Sequence, residues 1–319
     1  MAEFNLGENN LQVDLKATND SSLVLEQNKT ESVFMSAKED QSESEGINVE
    51  ELNDPNKISI TIADKNAPII VLFGPPSCGK TMLLIRLARY LKHECKDKDK
   101  IKISPIKTFR PSYDENYKKL CQSFDTMMDS DEVAKSTSGV SFMLVEVVKE
   151  GKRLCQILEA PGEYYFNPQK PNEKFPRYVN AIINSNNRKI WCIVVEPDWK
   201  NEKDRNNYVT RISTLKNRMR TKDKTIFVFN KIDTTNFTRD GGGHVNIAQA
   251  KKEVENLYRG IFTPFRNVNP ITKFFSEWNC DFIPFQSIEH DEQQGSGFEN
   301  GPEEYPAKLW NTILKRING

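Results

Sequence analysis

The stretch Pro68-Ile69-Ile70-Val71-Leu72-Phe73-Gly74-Pro75-Pro76-Ser77-Cys78-Gly79-Lys80-Thr81 joins two patterns. Its first half is a near-continuous apolar run, the mark of a strand buried on both faces. Its second half fits G-x-x-x-x-G-K-[ST] at every fixed position. Beyond it, Met82, Leu83, Leu84, Leu87 and Leu91 recur at helical spacing as far as about Cys95. In a strand, glycine-rich turn and helix of this kind, successive backbone N–H groups and the positive helix end converge on phosphate oxygens. Average residue usage produces the pattern in a chain of this length on the order of one time in a hundred. The segment is therefore read as a phosphate-binding loop lined by Gly74, Ser77, Cys78 and Gly79. Lys80 would reach the β- and γ-phosphates, and the Thr81 hydroxyl would coordinate Mg²⁺. Pro75 and Pro76 lack N–H donors, which leaves the phosphates to the amides of Ser77 to Thr81.

Working outward, Val140–Val148 and Arg153–Glu159 read as two strands joined at Glu150-Gly151-Lys152. Buried strands are expected again at Ile190–Val195, Thr225–Phe229 and Asp281–Phe285. Polar helical stretches separate them, such as Asn206–Arg220 and Ile247–Tyr258. Tyr305, Leu309, Trp310, Ile313 and Leu314 line one side of a final amphipathic helix. Strands alternating with helices predict an α/β fold of the P-loop NTPase kind, with helices on both faces of a mostly parallel sheet and one antiparallel hairpin strand. The alternation Ile58, Ile60, Ile62 suggests one further strand.

The phosphate loop specifies a nucleoside triphosphate but not its base. Phe227-Val228-Phe229-Asn230-Lys231-Ile232-Asp233 is an apolar strand ending in N-K-x-D. A carboxylate at Asp233 can accept hydrogen bonds from guanine N1–H and the exocyclic N2 amine, groups that adenine lacks. On these motifs the chain resembles a Ras-like P-loop GTPase of the translation-factor-related class, over roughly Ala67 to Ile317. The resemblance implies GTP/GDP and Mg²⁺ as ligands, with Asn230 tying base and loop together and the Lys231 stem covering the base.

The same resemblance reads Leu158-Glu159-Ala160-Pro161-Gly162-Glu163 as a divergent D-x-x-G segment. Glu159 would then hold Mg²⁺ through water, and the Gly162 amide would sense the γ-phosphate. Glu163 stands where many relatives orient water with glutamine; a carboxylate beside a γ-phosphate implies slow hydrolysis. Ser136-Thr137-Ser138-Gly139-Val140-Ser141-Phe142 resembles T-x-G-x-x-F, making Thr137 the Mg²⁺-binding switch threonine. Phe285-Gln286-Ser287-Ile288 lies where relatives place a loop over the base, so backbone contact from Ser287 or Ile288 is expected. The span from Lys80 to Thr137 is long, and an insertion at about 96–135 holds an expected strand (Lys100–Phe109) and helix (Tyr113–Met128).

Charge divides the chain. Residues 1–56 carry 13 acidic and 3 basic side chains in a chain whose net charge is zero. They read as a disordered acidic tail, and 57–319 as one G domain. The six cysteines show no C-x-x-C spacing, which argues against a zinc site. Neither a membrane span nor a secretory leader is expected, which suggests the cytoplasm. Basic residues at Lys216–Lys224 read as a solvated helix face, not a nucleic-acid site. Asp198-Trp199-Lys200 is a guess for partner contact. A protein effector or regulator is expected, with its identity and the oligomeric state open. Three functions compete: a GTP-driven switch with slow turnover, a GTP-binding scaffold without hydrolysis, and an ATPase or nucleotide kinase.

Overall fold

In the computed structural model the described residues are 60–62, 64–129, 142–197, 199–235, 245–268, 274, 276–290 and 298–319. Strand β1 (Ile69–Phe73) is buried at every position. It runs through the Gly74–Gly79 loop into helix α1 (Lys80–Arg89), which continues as a π-helical turn at Tyr90–Glu94. Leu83, Leu84, Leu87 and Leu91 are all buried. The helical expectation as far as Cys95 is therefore met.

Strand β2 (Ile101–Pro105) precedes helix α2 (Glu115–Asp129). Strands β3 (Met143–Lys149) and β4 (Lys152–Glu159) form the expected hairpin. Glu150 and Gly151, at φ 50° and 78°, make the two-residue turn whose twist suits such a hairpin. Helices α3 (Gly162–Tyr165) and α4 (Arg177–Asn184) lead to β5 (Lys189–Val195). Helix α5 (Glu202–Lys216), strand β6 (Lys224–Phe229), helix α6 (Ile247–Leu257) and strand β7 (Asp281–Pro284) complete the alternation. Strands β8 (Ile288–His290) and β9 (Phe298–Asn300) pair separately, before helix α7 (Glu304–Asn318).

The main sheet has seven strands in the order β2-β3-β4-β1-β5-β6-β7. Strands β4, β1, β5, β6 and β7 are parallel neighbours, and β3 is antiparallel to both β2 and β4. The chain winds away from β1 in both directions. Right-handed crossovers then put α1 on one face and the helices leading to β5 and β6 on the other. That reversal at β1 opens a crevice at the carboxyl ends of the central strands, where nucleotides bind in open α/β sheets.

Three expectations need correction. Ile60 and Ile62 lie in no strand; the Thr61 N–H meets the Phe109 carbonyl at 2.9 Å, a single bond to the 3₁₀ segment after β2 rather than a strand pairing. Ile58 is outside the described residues. The strand within the insertion ends at Pro105 rather than Phe109, because Lys107–Phe109 turns into a 3₁₀ segment. The basic stretch at Lys216–Lys224 is exposed or half-exposed apart from Asp223, as expected, but it lies largely beyond the end of α5 at Lys216 rather than on a helix face. Arg220 and Lys222 donate to the carbonyls of Asn184 and Asn186 at and just past the end of α4, and Arg218 donates to the Asn180 side chain.

Buried Lys189 completes the same arrangement, donating from Nζ to the carbonyls of Ile183 (2.9 Å) and Ser185 (2.5 Å). Positive groups at a helix C-terminus satisfy carbonyls that the helix itself leaves open. Burial pushes the Lys189 ammonium down to about 8, while Asp223 pulls the other way.

Candidate functional site

The phosphate loop takes its shape from two residues in the left-handed region, Ser77 (φ 63°) and Gly79 (φ 84°). A side chain at Gly79 would put Cβ 2.3 Å from Asn230 Nδ2, so only glycine allows that close approach. Lys80 is buried and its ammonium donates to the Pro75 carbonyl at 2.9 Å, which folds the side chain back along the loop. The amides of Lys80, Thr81 and Met82 open α1 and have no carbonyl within the helix.

The base tetrapeptide is joined to this loop by two hydrogen bonds across more than 150 residues of chain. Asn230 Nδ2 donates to the Cys78 carbonyl (3.1 Å), and Lys231 Nζ donates to the Ser77 carbonyl (3.1 Å). The Ser287 hydroxyl donates in turn to Asn230 Oδ1 (3.2 Å), so the segment after β7 closes on the same asparagine. Asp233 is exposed in a 3₁₀ turn beyond them, free to meet a ligand edge. The strand order, the phosphate loop after β1 and the tetrapeptide after β6 now coincide. This is an α/β architecture of the P-loop nucleotide-binding kind.

Within this fold, Glu159 closes β4 beneath the loop. The Thr81 hydroxyl donates to its Oε1 at 3.2 Å, whereas Oε2 is buried with no hydrogen-bond partner among the described residues. Burial pushes this carboxyl up to about 7, although Lys80, the Thr81 hydroxyl and the Phe142 amide pull it down. An unpartnered buried carboxylate oxygen beside a threonine hydroxyl suits an oxygen-seeking cation such as Mg²⁺. Among the described residues no cluster of three or more His, Cys, Asp or Glu offers an alternative metal centre. Thr137 lies outside the described residues. The phenylalanine of its motif, Phe142, packs against Phe109 (5.4 Å) and Tyr178 (4.7 Å). The insertion therefore abuts the end of that segment.

Gly162 sits against the loop prolines, since a Cβ there would lie 2.2 Å from Pro76 N and 2.3 Å from the Pro75 carbonyl carbon. Glu163 is exposed at the next position. The segment that follows is held firmly. Tyr165, Phe166 and Phe175 are buried, and Arg211 of α5 donates to the carbonyls of Tyr165 (2.7 Å) and Glu173. The Arg211 guanidinium also lies 3.6 Å from the centroid of the Phe175 ring. Burial pushes Arg211 down to about 10.

Three contributors escape a sequence reading. Trp199 is buried beneath the loop rather than presented to a partner: its indole N–H donates to the Pro76 carbonyl (3.1 Å), and its ring packs on Phe166 and Tyr208. Arg211 lies in a helix of mixed polarity, with nothing in its spacing to mark a buried arginine. Glu196 follows the last residue of β5 and pairs its carboxylate with Lys231; its place at the carboxyl end of a central strand is the one signal available in advance. Ile288 opens β8, where it registers opposite Asn300. Strand pairing, not a bare loop, therefore shapes the chain beyond Ser287.

Similar folds occur among solved structures of GTP-binding proteins. A candidate nucleolar GTP-binding protein 1 from Plasmodium falciparum is 13% identical, with 82% of this chain and 92% of that one aligned at a TM-score of 0.39. The GTPase-like domain of Ski7 from S. cerevisiae, bound to GTP, is 16% identical at a TM-score of 0.38, with coverages of 80% and 50%. Elongation factor SelB from Methanococcus maripaludis, with a GTP analogue, is 14% identical at a TM-score of 0.34. There the alignment covers 81% of this chain and 35% of the factor. The superpositions are loose, and the strand order carries the fold assignment by itself. No protein-family model and no curated protein matches the chain.

Proposed function

We propose that the domain binds GTP and GDP with Mg²⁺ and acts as a slow GTP-dependent switch. The observation that carries this reading is the pair of hydrogen bonds from Asn230 and Lys231 to the carbonyls of Cys78 and Ser77. They make the base-reading and phosphate-holding segments one cradle, with Asp233 open to solvent at its rim.

In this cradle the loop amides and Lys80 hold the phosphates, and Asp233 accepts from the guanine N1–H and amine. Thr81 and Glu159 would hold Mg²⁺, with Thr137 as the proposed third contributor. When bound, Mg²⁺ neutralises charge between the phosphates. Gly162 would offer its amide to a terminal phosphate. Glu163 can orient water but adds negative charge where charge already accumulates, so turnover is slow until a partner compensates. Residues 1–56 are read as an acidic tail, and the surface beside the insertion is where an effector or regulator would read the bound state.

A second reading, a GTP-binding scaffold without hydrolysis, is favoured by one specific feature. The segment after Gly162 is packed into an aromatic core and clamped by Arg211, which opposes rearrangement. The test is to incubate the protein with Mg²⁺ and equal GTP and ATP, then denature it and identify what was bound. GDP supports the slow switch, intact GTP supports the scaffold, and adenine nucleotide refutes guanine recognition. In the same assay Asp233→Asn should lose GTP and accept xanthosine triphosphate, whose oxo group replaces the amine; unchanged GTP affinity defeats the role given to Asp233.

A further inference from the structure

Strand β5 and the residue after it carry three carbonyls that are each held by a different element. Tyr208 Oη donates to Val194 (3.1 Å), the Asn230 amide to Val195 (2.8 Å) and Tyr258 Oη to Glu196 (2.7 Å). The backbone of Glu196 is therefore anchored from α5, from the base tetrapeptide and from the end of α6. Its side chain is 6% exposed and forms an ion pair with Lys231, which is 42% exposed.

Lys231 adopts φ 56° and ψ 41°. The left-handed conformation costs a non-glycine residue on the order of 1 kcal/mol. Two contacts hold the side chain in place against that cost: the Ser77 carbonyl accepts from its ammonium on one side, and the Glu196 carboxylate faces it on the other. The stem passes close to Gly79, where a Cβ would lie 4.0 Å from Lys231 Cε. A flexible lysine is thus held by the protein's own groups, and a side chain so held loses little rotamer freedom on binding.

We propose that Glu196 is a positioning residue that holds Lys231 as the platform beneath the base and thereby slows release of the nucleotide. This inference rests on the guanine-nucleotide reading above and goes beyond it, because Glu196 belongs to neither recognition motif. The carboxylate acts through the lysine. It touches neither phosphate nor base.

The test uses the full chain and GDP carrying a fluorescent N-methylanthraniloyl group on the ribose, with release followed after adding excess unlabelled GDP. Glu196→Gln keeps the volume and removes the charge, so release should accelerate about tenfold, the order expected for losing one partly buried ion pair. The thermal midpoint without nucleotide checks that the variant is folded. In a Lys231→Met background the same substitution should not accelerate release further. Release within twofold of the parent overturns the proposal, as does equal acceleration in both backgrounds. Failure of the unsubstituted chain to bind labelled GDP refutes guanine binding itself, and the proposal falls with it.

Discussion

Gly162→Ala tests whether the D-x-x-G-like segment and the phosphate loop form one rigid unit. The new methyl carbon would lie 2.2 Å from Pro76 N, 2.3 Å from the Pro75 carbonyl carbon and 2.5 Å from its oxygen. Ordinary contact begins near 3.4 Å, so one backbone must retreat by about 1.2 Å. All three obstructing atoms are main chain in a Pro-Pro pair, which cannot rotate aside. The retreat is opposed on both sides, because Trp199 holds the Pro76 carbonyl and Arg211 holds the Tyr165 carbonyl.

Overpacking of this kind costs about 3 kcal/mol, which in a domain of this size lowers the thermal midpoint by roughly 6–12 °C. Gly151→Ala is the control. Gly151 also has positive φ, but a Cβ there meets nothing within 4 Å, so only backbone strain of about 1 kcal/mol is expected. Differential scanning calorimetry of both variants without nucleotide, followed by titration with GDP, separates the effects. Nucleotide affinity should fall at least about tenfold for Gly162→Ala, since the loop that carries the amides has been pushed. A Gly162→Ala protein that melts within about 2 °C of the parent and binds GDP normally refutes the close packing of these segments.

Asn230→Ala removes the donor to Cys78 and the acceptor for Ser287; affinity for guanine nucleotide should drop about a hundredfold, and a change under threefold by titration calorimetry counts against the cradle. Arg211→Lys loses the planar fork that serves Tyr165, Glu173 and Phe175. Hydrogen exchange at residues 165–175 should quicken, and unchanged protection there refutes the clamp. Lys189 links stability to pH. The folded protein holds its ammonium to about 8 and the unfolded chain to 10.5. Between these values the unfolded state binds more protons, so stability rises with pH across the window and the cost of burying the charge is fully present below it. Denaturant unfolding of the parent and Lys189→Met at pH 7.5 and 10 should show the parent gaining relative to the variant; a constant difference contradicts the buried ammonium.

Much of the fold was legible because its signals are local. A strand buried on both faces shows as an unbroken apolar run, and β1, β5 and β6 lie within a residue or two of where such runs occur. The Glu150-Gly151 turn was legible because two successive positive-φ positions need a permissive residue. Ile60 and Ile62 misled for the opposite reason: alternation describes a segment's own pattern, not whether another strand pairs with it. The short pair β8 and β9 had too few residues to show any period.

The site divides along the same line. The sequence by itself determined where the candidate phosphate loop and the N-K-x-D tetrapeptide lie, since both are read from residues at fixed spacing within a single turn. It also implied the hairpin ending in Glu159. Only the tertiary structure decided that Asn230 and Lys231 reach carbonyls of the phosphate loop, that Glu159 is buried with one oxygen unpartnered, and that Trp199, Arg211 and Glu196 support the site from behind. Those partners are tens to more than a hundred residues apart. A buried polar side chain is stabilised by whatever donor or acceptor the fold brings to it, and that pairing leaves no periodic mark on the chain.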